Sequence, residues 1–142
     1  MIETAKPMDL LQRFSFPGLP IRGQWVRLTA TLGAIARYQN YPPDVQALLG
    51  EMFAAVTMVA DNLKFSGAVS LQSKGDGALS RSLAECREQQ YLRGIAQLAE
   101  NVGPSPNTGN LADWLGNGQL ALSLLPDTVS YTHLTLPTMF EV

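Results

Sequence analysis

The alternation of apolar and polar residues divides the chain into segments of two kinds. Residues 43–63 have the three-and-four spacing of a helix, whereas most of the other segments alternate as strands do. The apolar positions of this helix are Val45, Leu48, Leu49, Met52, Phe53, Val56, Val59, Ala60 and Leu63. Because nearly every residue between Met52 and Ala60 is apolar, the helix has to be covered on most sides. The pattern therefore predicts a buried helix wrapped by sheet.

Both ends of this helix are marked by residues that suit a helix terminus. Pro43 fits the first helical position, Asp44 fits the positive end of the helix dipole, and Lys64 follows the last apolar residue. The uninterrupted apolar run is only nine residues long and lies between Glu51 and Asp61. A bilayer crossing needs about 20 such residues. We therefore expect a core helix and no membrane partner.

Two strands and a short helix are predicted before it. Residues 9–16 alternate up to the turn pair at 17–18, and residues 19–29 predict a second strand that pairs with the first. A glycine interrupts the second strand, which predicts a bulge at Arg22-Gly23. Residues 30–40 then change to a helical period. The face of this short helix carries Leu32, Ile35, Ala36 and Tyr38.

A meander of strands is predicted after the central helix. Residues 65–74 form a strand, and Gly75, Asp76 and Gly77 are residues that accept positive φ in a hairpin turn. Residues 78–90 fit either a helix or a strand. The glycine turn before them and the strand pattern of residues 91–99 favour the strand.

The next residues predict a loop, one helical turn and a last strand. Residues 101–110 are rich in Gly, Pro, Ser and Asn and predict a mobile loop. Asn110 is the expected cap of a helical turn at residues 111–115, and residues 119–125 form an apolar strand. The whole pattern predicts an α+β fold in which a buried central helix lies between β-sheet layers, in a β/α/β arrangement.

Composition and charge exclude several classes of function. The chain has 142 residues, 46% of them hydrophobic and 15% charged, which fits one domain or part of one. A net charge of −2, with the Lys and Arg residues scattered along the chain, predicts no basic surface for binding nucleic acid. The single cysteine, Cys86, excludes an internal disulfide framework, and the first residues lack the apolar core of a signal peptide. We therefore expect a cytoplasmic protein.

The candidates for catalytic chemistry are few. The only histidine, His133, lies in the C-terminal tail, so the rest of the chain cannot supply a Ser-His-Asp, a Cys-His or a common zinc site. The segment at residues 75–80 (GDGALS) resembles a dinucleotide-binding turn, but Ser80 stands where the third glycine belongs. One alternative is therefore an enzyme domain with a phosphate or nucleotide ligand at Gly75, Asp76 and Gly77, and the other is a plain hairpin turn.

The charged residues favour structural roles. Glu51 and Asp61 are separated by about 15 Å along the helix axis, too far apart for a pair of acids acting together. Arg22 and Arg93 each precede a glycine and predict ion pairs with Asp76 or Glu51. We expect no catalytic residue, no cofactor-binding residue and no metal ligand in this chain.

Residues 128–142 have a sequence that does not fit the rest of the domain. Residues 129–138 (VSYTHLTLPT) resemble, without gaps, the translation of a DNA adaptor used in transposon-based sequencing-library preparation, and the alternative is a genuine C-terminal strand. We therefore predict a domain at residues 1–127 that is truncated at its C-terminus, followed by a non-native tail at residues 128–142. A further alternative is therefore an inactive truncated domain, whose open sheet edge self-associates.

Five short motifs, in order and spacing, resemble the core domain of the heat-shock protein 33 family of redox-regulated chaperones. The resemblance covers residues 8–127. The motifs are IRG at residues 21–23, LKFSG at 63–67, KGDG at 74–77, LRG at 92–94 and LGNG at 115–118. The core domain of that family has a buried helix between sheet layers, which agrees with the periodicity.

The resemblance implies a function in binding other proteins. Members of the family are cytoplasmic holdases that bind unfolding client proteins without ATP, so clients are the expected partners and an enzyme is not expected. In full-length members a separate C-terminal module holds zinc through CxC and CxxC cysteines, and its oxidation uncovers client-binding surface on the core. Cys86 matches none of these cysteines, so no metal or redox role is carried onto it. The resemblance does not assign client-binding residues.

Overall fold

A computed structural model describes residues 8–64, 66–100, 105–127 and 138–141 of the chain. The helices are α1 Thr29–Tyr38, α2 Pro43–Asp61 and α3 Leu111–Leu115. The strands are β1 Asp9–Ser15, β2 Arg22–Leu28, β3 Gly67–Gly75, β4 Leu79–Arg87, β5 Tyr91–Leu98, β6 Gly118–Pro126 and β7 Thr138–Glu141.

Helix α2 is the buried centre of the molecule. It begins at Pro43, as predicted, and ends at Asp61, two residues before the end that the apolar pattern indicated. Its buried side chains are Val45, Leu48, Leu49, Met52, Phe53, Val56 and Ala60. Leu63 lies beyond the helix but still packs against this core. The three-and-four spacing therefore predicted the correct face, although not the last turn.

Two sheets cover α2 from different sides. β1 and β2 form a two-stranded sheet, and β2 contacts α2. The second and larger sheet, the main sheet, has the strand order β5-β4-β3-β6-β7, and three of its strands contact the same helix. The predicted α+β fold, with a helix between sheet layers, is confirmed. Trp114 and Leu115 of α3 are also fully buried in this core.

The first hairpin has no bulge, so the bulge predicted at Arg22-Gly23 was wrong. Antiparallel pairing runs without a shift from Asp9 opposite Leu28 to Ser15 opposite Arg22. Gly23 is needed here for space and not for a bulge. A Cβ at this position would overlap the ring of Phe14 on the neighbouring strand. The glycine therefore makes room for a cross-strand aromatic side chain.

The meander β3-β4-β5 is confirmed, including the strand at the ambiguous residues 78–90. β6 pairs along the other side of β3, from Gly67 opposite Pro126 to Gly75 opposite Gly118. The backbone of β7 pairs with β6. Because residues 128–137 and 142 lie outside the described residues, the domain boundary at residue 127 stays a prediction.

The turn between β3 and β4 needs its glycines for space rather than for positive φ. Neither Gly75 nor Gly77 has a positive φ, so that part of the prediction was wrong. A Cβ on Gly77 would lie 2.5 Å from the carbonyl oxygen of Trp114, and one on Gly75 would overlap the backbone of Leu115. The turn is therefore packed tightly against α3.

Helix α1 lies at the periphery. None of its residues is fully buried, Ile35 packs against the core, and Tyr38 is 84% exposed. The prediction that Tyr38 shares the packing face was wrong. None of the described helices is long and apolar enough to span a membrane.

Candidate functional site

The tip of the β1-β2 hairpin is a tight turn of defined type. The amide of Leu19 donates to the carbonyl of Phe16 at 3.1 Å, with Pro17 and Gly18 between them. Gly18 has φ +77°, and proline followed by a glycine of positive φ is the pattern of a type II turn. A second backbone bond, from Phe16 N to Ile21 O at 3.2 Å, closes the loop. The tip is therefore held by its own backbone.

Large apolar side chains stand in solvent around this tip. We call them the apolar hairpin surface, and each is between 47% and 57% exposed: Phe14, Phe16, Leu19, Ile21 and Trp25. The rings of Phe14 and Phe16 meet edge to face with centroids 6.0 Å apart. The guanidinium of Arg27 lies 5.8 Å from the centre of the Trp25 ring. Clustered exposed apolar groups of this kind mark interaction sites.

An ion pair fastens the hairpin to the end of α2. The guanidinium Nε of Arg13 donates to Asp61 Oδ2 at 2.6 Å, and a second nitrogen of Arg13 contacts the other carboxylate oxygen. Gln24 of β2 also donates to this carboxylate. The hydrogen bonds from Arg13 lower the pKa of Asp61. The arrangement neutralises an acid at the negative end of a helix and fixes the hairpin on α2.

The outer face of the main sheet, turned away from α2, is more polar. Glu85 is 5% exposed and accepts from Arg93 at 2.9 Å and 3.2 Å. The predicted pairing of Arg93 with Asp76 or Glu51 was therefore wrong, because Glu85 lies directly opposite Arg93 on the neighbouring strand. Asp76 instead accepts from the backbone and side chain of Asn117.

The turn at Gly75, Asp76 and Gly77 gives no support to a phosphate site. The Gly77 amide, which a phosphate would need as a donor, donates to Leu115 O at 2.8 Å. The Asp76 carboxylate adds negative charge to the same turn and is already hydrogen-bonded to Asn117. The hydrogen-bonding groups of this turn that a ligand would use are therefore already paired within the chain.

The described residues do not fit the zinc that the resemblance implies for full-length members of the family. Among the described residues no group of three metal-binding side chains is close together. Cys86 is buried in β4, and burial, together with the charge of Glu85, raises the pKa of its thiol. A lone protonated thiol supplies neither the ligand number nor the thiolate that zinc requires. Cys86 is therefore an isolated thiol on a buried strand position.

Comparison with known proteins identifies the family. The family model described as Hsp33 protein matches residues 9–135. The chain belongs to the Hsp33 family. The match ends eight residues beyond the domain boundary predicted at residue 127.

Its curated relatives are named 33 kDa chaperonin. The chain is 36% identical over 119 residues to the protein from Aeromonas salmonicida, a match covering 84% of this chain and 40% of that protein. It is 34% identical over 122 residues to the protein from Actinobacillus pleuropneumoniae, covering 86% of this chain and 40% of the relative. It is 37% identical over 119 residues to a Shewanella protein, a match covering 84% of this chain and 41% of that protein. The chain therefore spans about two fifths of the length of these relatives.

Sequence reasoning missed the apolar hairpin surface. It recognised β1 and β2 but did not predict which of their apolar side chains face solvent. One available signal was the apolar cluster around the Pro17-Gly18 turn, where Phe14, Phe16, Leu19 and Ile21 are too close to the tip to reach a core.

Proposed function

We propose that this chain is the core of an ATP-independent holdase, which binds unfolding client proteins in the cytoplasm through the apolar hairpin surface. Membership of the Hsp33 family supports a chaperone and favours a binding function over an enzymatic one. The observation that carries the proposal is the cluster of half-exposed aromatic and aliphatic side chains on one hairpin.

The mechanism follows from the chemistry of that surface. An unfolding protein exposes apolar side chains, and burying them against Phe14, Leu19 and Trp25 removes apolar area from water on both partners. The backbone of the hairpin tip is already fixed by its turn, so little chain entropy is lost on its side. Binding of this kind needs no nucleotide.

Regulation by oxidation does not, in this proposal, act through the cysteine of this chain. The sequence has one cysteine, and that residue is buried in the core. We therefore propose that client binding by this chain is constitutive.

The test is suppression of the aggregation of thermally unfolding citrate synthase, followed by light scattering without ATP. Burying a large apolar side chain contributes about 1.5–3 kcal/mol. Because Phe14 and Ile21 are each about half exposed, each should contribute about 1 kcal/mol, or roughly fivefold in affinity. The variant Phe14→Ser/Ile21→Ser should therefore need far more protein for the same suppression.

The matched control is Tyr38→Ser, which removes a still more exposed aromatic side chain from α1, away from the hairpin. It should leave suppression unchanged. Equal activity of the hairpin variant and the wild type would refute the proposed surface, and a wild-type chain without any suppression would refute the holdase function.

A further inference from the structure

Two cations stand side by side on the outer face of the main sheet. Lys74 on β3 is directly opposite Arg81 on β4, and we call these two residues the cation pair. Gln97 flanks Arg81 on β5, and Gln119 flanks Lys74 on β6. All four side chains are exposed, so one row across four strands carries two positive charges and two amides.

Such a pair is unfavourable on its own. Like charges directly opposite each other on neighbouring strands destabilise a sheet. Within the described residues, neither Lys74 nor Arg81 makes an ion pair. Elsewhere the same face does neutralise its cations, because Glu85 accepts from Arg93 and lies 3.8 Å from Arg87. Among the side chains that the structure describes, the unbalanced charge is therefore local to one end of the face.

The cation pair borders a shallow basin of about 430 Å³. The next row of the sheet supplies its apolar part, with Leu83 opposite Ile95, and Ile95 is 54% exposed. No acidic side chain is among the described residues that line the basin. Positive charge and exposed apolar surface thus lie next to each other, two residues apart along the strands.

We propose that this basin binds acidic segments of unfolding clients in extended conformation. A carboxylate of the client lies between Lys74 and Arg81, which donate charge-assisted hydrogen bonds. An apolar side chain two residues away packs on Leu83 and Ile95, because alternate residues of an extended chain are about 6.8 Å apart on one face, as are the rows of the sheet. This inference rests on the proposed function and adds a preference for negatively charged clients.

The test measures binding of two fluorescent peptides by anisotropy. Both alternate leucine with a charged residue, glutamate in one and lysine in the other. The acidic peptide should bind more tightly, and its advantage should shrink as salt is added. Because the double variant Lys74→Gln/Arg81→Gln removes two weak, exposed ion pairs, it should reduce the affinity for the acidic peptide roughly twofold to thirtyfold.

The matched control is Lys64→Gln/Arg37→Gln, which removes the same two charges from exposed positions outside the basin. It should leave the preference intact. The reversal Lys74→Glu/Arg81→Glu should make the lysine peptide the tighter ligand, which a variant with general structural damage would not do. Circular dichroism melting checks that each variant is folded.

Equal binding of the two peptides, or an equal loss in the control variant, would overturn the inference. So would an oligonucleotide that displaces the acidic peptide and binds more tightly, or a dimer that depends on Lys74 and Arg81. If citrate synthase aggregation is still suppressed in these cases, the holdase function stands and only the charge preference fails. If the wild type neither binds peptide nor suppresses aggregation, both proposals fail.

Discussion

Single residues determine how closely α2 approaches the main sheet. Gly94 on β5 faces the helix, and a Cβ there would lie 2.5 Å from the ring of Phe53 and 2.5 Å from the carbonyl oxygen of Leu83. Phe53 is 1% exposed and belongs to the hydrophobic core. The absence of a side chain at this position is therefore part of the core packing.

Gly94→Ala should lower the free energy of unfolding by about 1–3 kcal/mol, because the added methyl overpacks the core. Gly33→Ala is the control, since a Cβ on this α1 residue meets no atom within 4 Å. There, alanine should raise stability by about 0.5–1 kcal/mol through its helix propensity. Urea unfolding measures both, and similar effects of the two substitutions would contradict the close contact.

The Arg13–Asp61 pair should make stability depend on pH. The folded-state pKa of Asp61 is lowered by its hydrogen bonds to Arg13, below an unfolded value of about 3.9. Its stabilisation is therefore present above that unfolded value and lost as the pH falls through the folded-state pKa.

Asp61→Asn should consequently be less stable than the wild type at pH 7, and the difference should shrink as the pH falls below about 4. Urea midpoints across this range measure it. Glu51→Gln removes an exposed acid of the same helix and should have a smaller effect at pH 7. A difference for Asp61→Asn that stays constant with pH would count against the ion pair.

At the scale of elements, a distant residue caps α1. Leu28 precedes this helix and makes no side-chain cap. Asp9 of β1 replaces the cap, because its carboxylate accepts from Ala30 N at 2.8 Å and from Thr31 N at 3.2 Å. The start of β1 and the start of α1 are therefore held together.

Asp9→Ala should cost about 0.5–2 kcal/mol of stability, as the loss of an N-cap does. Asp44→Ala is the comparison, because Asp44 lies in the first turn of α2, which has no side-chain cap bond. It should cost less, about 0.3–1 kcal/mol from the helix dipole alone. Thermal unfolding measures the loss of stability in both variants. A larger loss in Asp44→Ala than in Asp9→Ala would show that Asp9 is not the cap.

Much of the element order could be predicted because it depends on local patterns. The spacing in α2, the alternation in β1 and β2, and Asn110 at the start of α3 each act over a few residues. The Asp9 cap, the Arg13–Asp61 pair and the place of β6 beside β3 join residues far apart in the chain. No local pattern encodes such partners. Arg93 was assigned to the wrong acid for a different reason, because its partner Glu85 is determined by the register of the β4-β5 hairpin, eight residues away in the chain.

At the scale of the whole molecule, the two sheets that cover α2 carry outer surfaces of different chemistry. The small sheet carries the apolar hairpin surface, and the main sheet carries the cation pair and its basin. Both are rigidly supported by α2, whereas Cys86 lies inside the core and contributes to neither. Client binding should therefore not respond to the oxidation state of the cysteine.

Treatment with peroxide should leave suppression of citrate synthase aggregation unchanged. The thiol of Cys86 is 1% exposed, and its raised pKa keeps it protonated and unreactive. The Cys86→Ala chain, assayed in parallel, should behave in the same way. A clear gain of activity after oxidation would contradict constitutive binding.

The central claim is that an unfolding client sits on the apolar hairpin surface. Site-specific photo-crosslinking tests it most directly, with p-benzoylphenylalanine placed at Leu19 on the hairpin tip or at Tyr38 on α1, both of which are exposed. With citrate synthase unfolding in the sample, the Leu19 position should crosslink to it strongly and the Tyr38 position weakly. Equal crosslinking at both positions, or crosslinking at Tyr38 alone, would contradict the account.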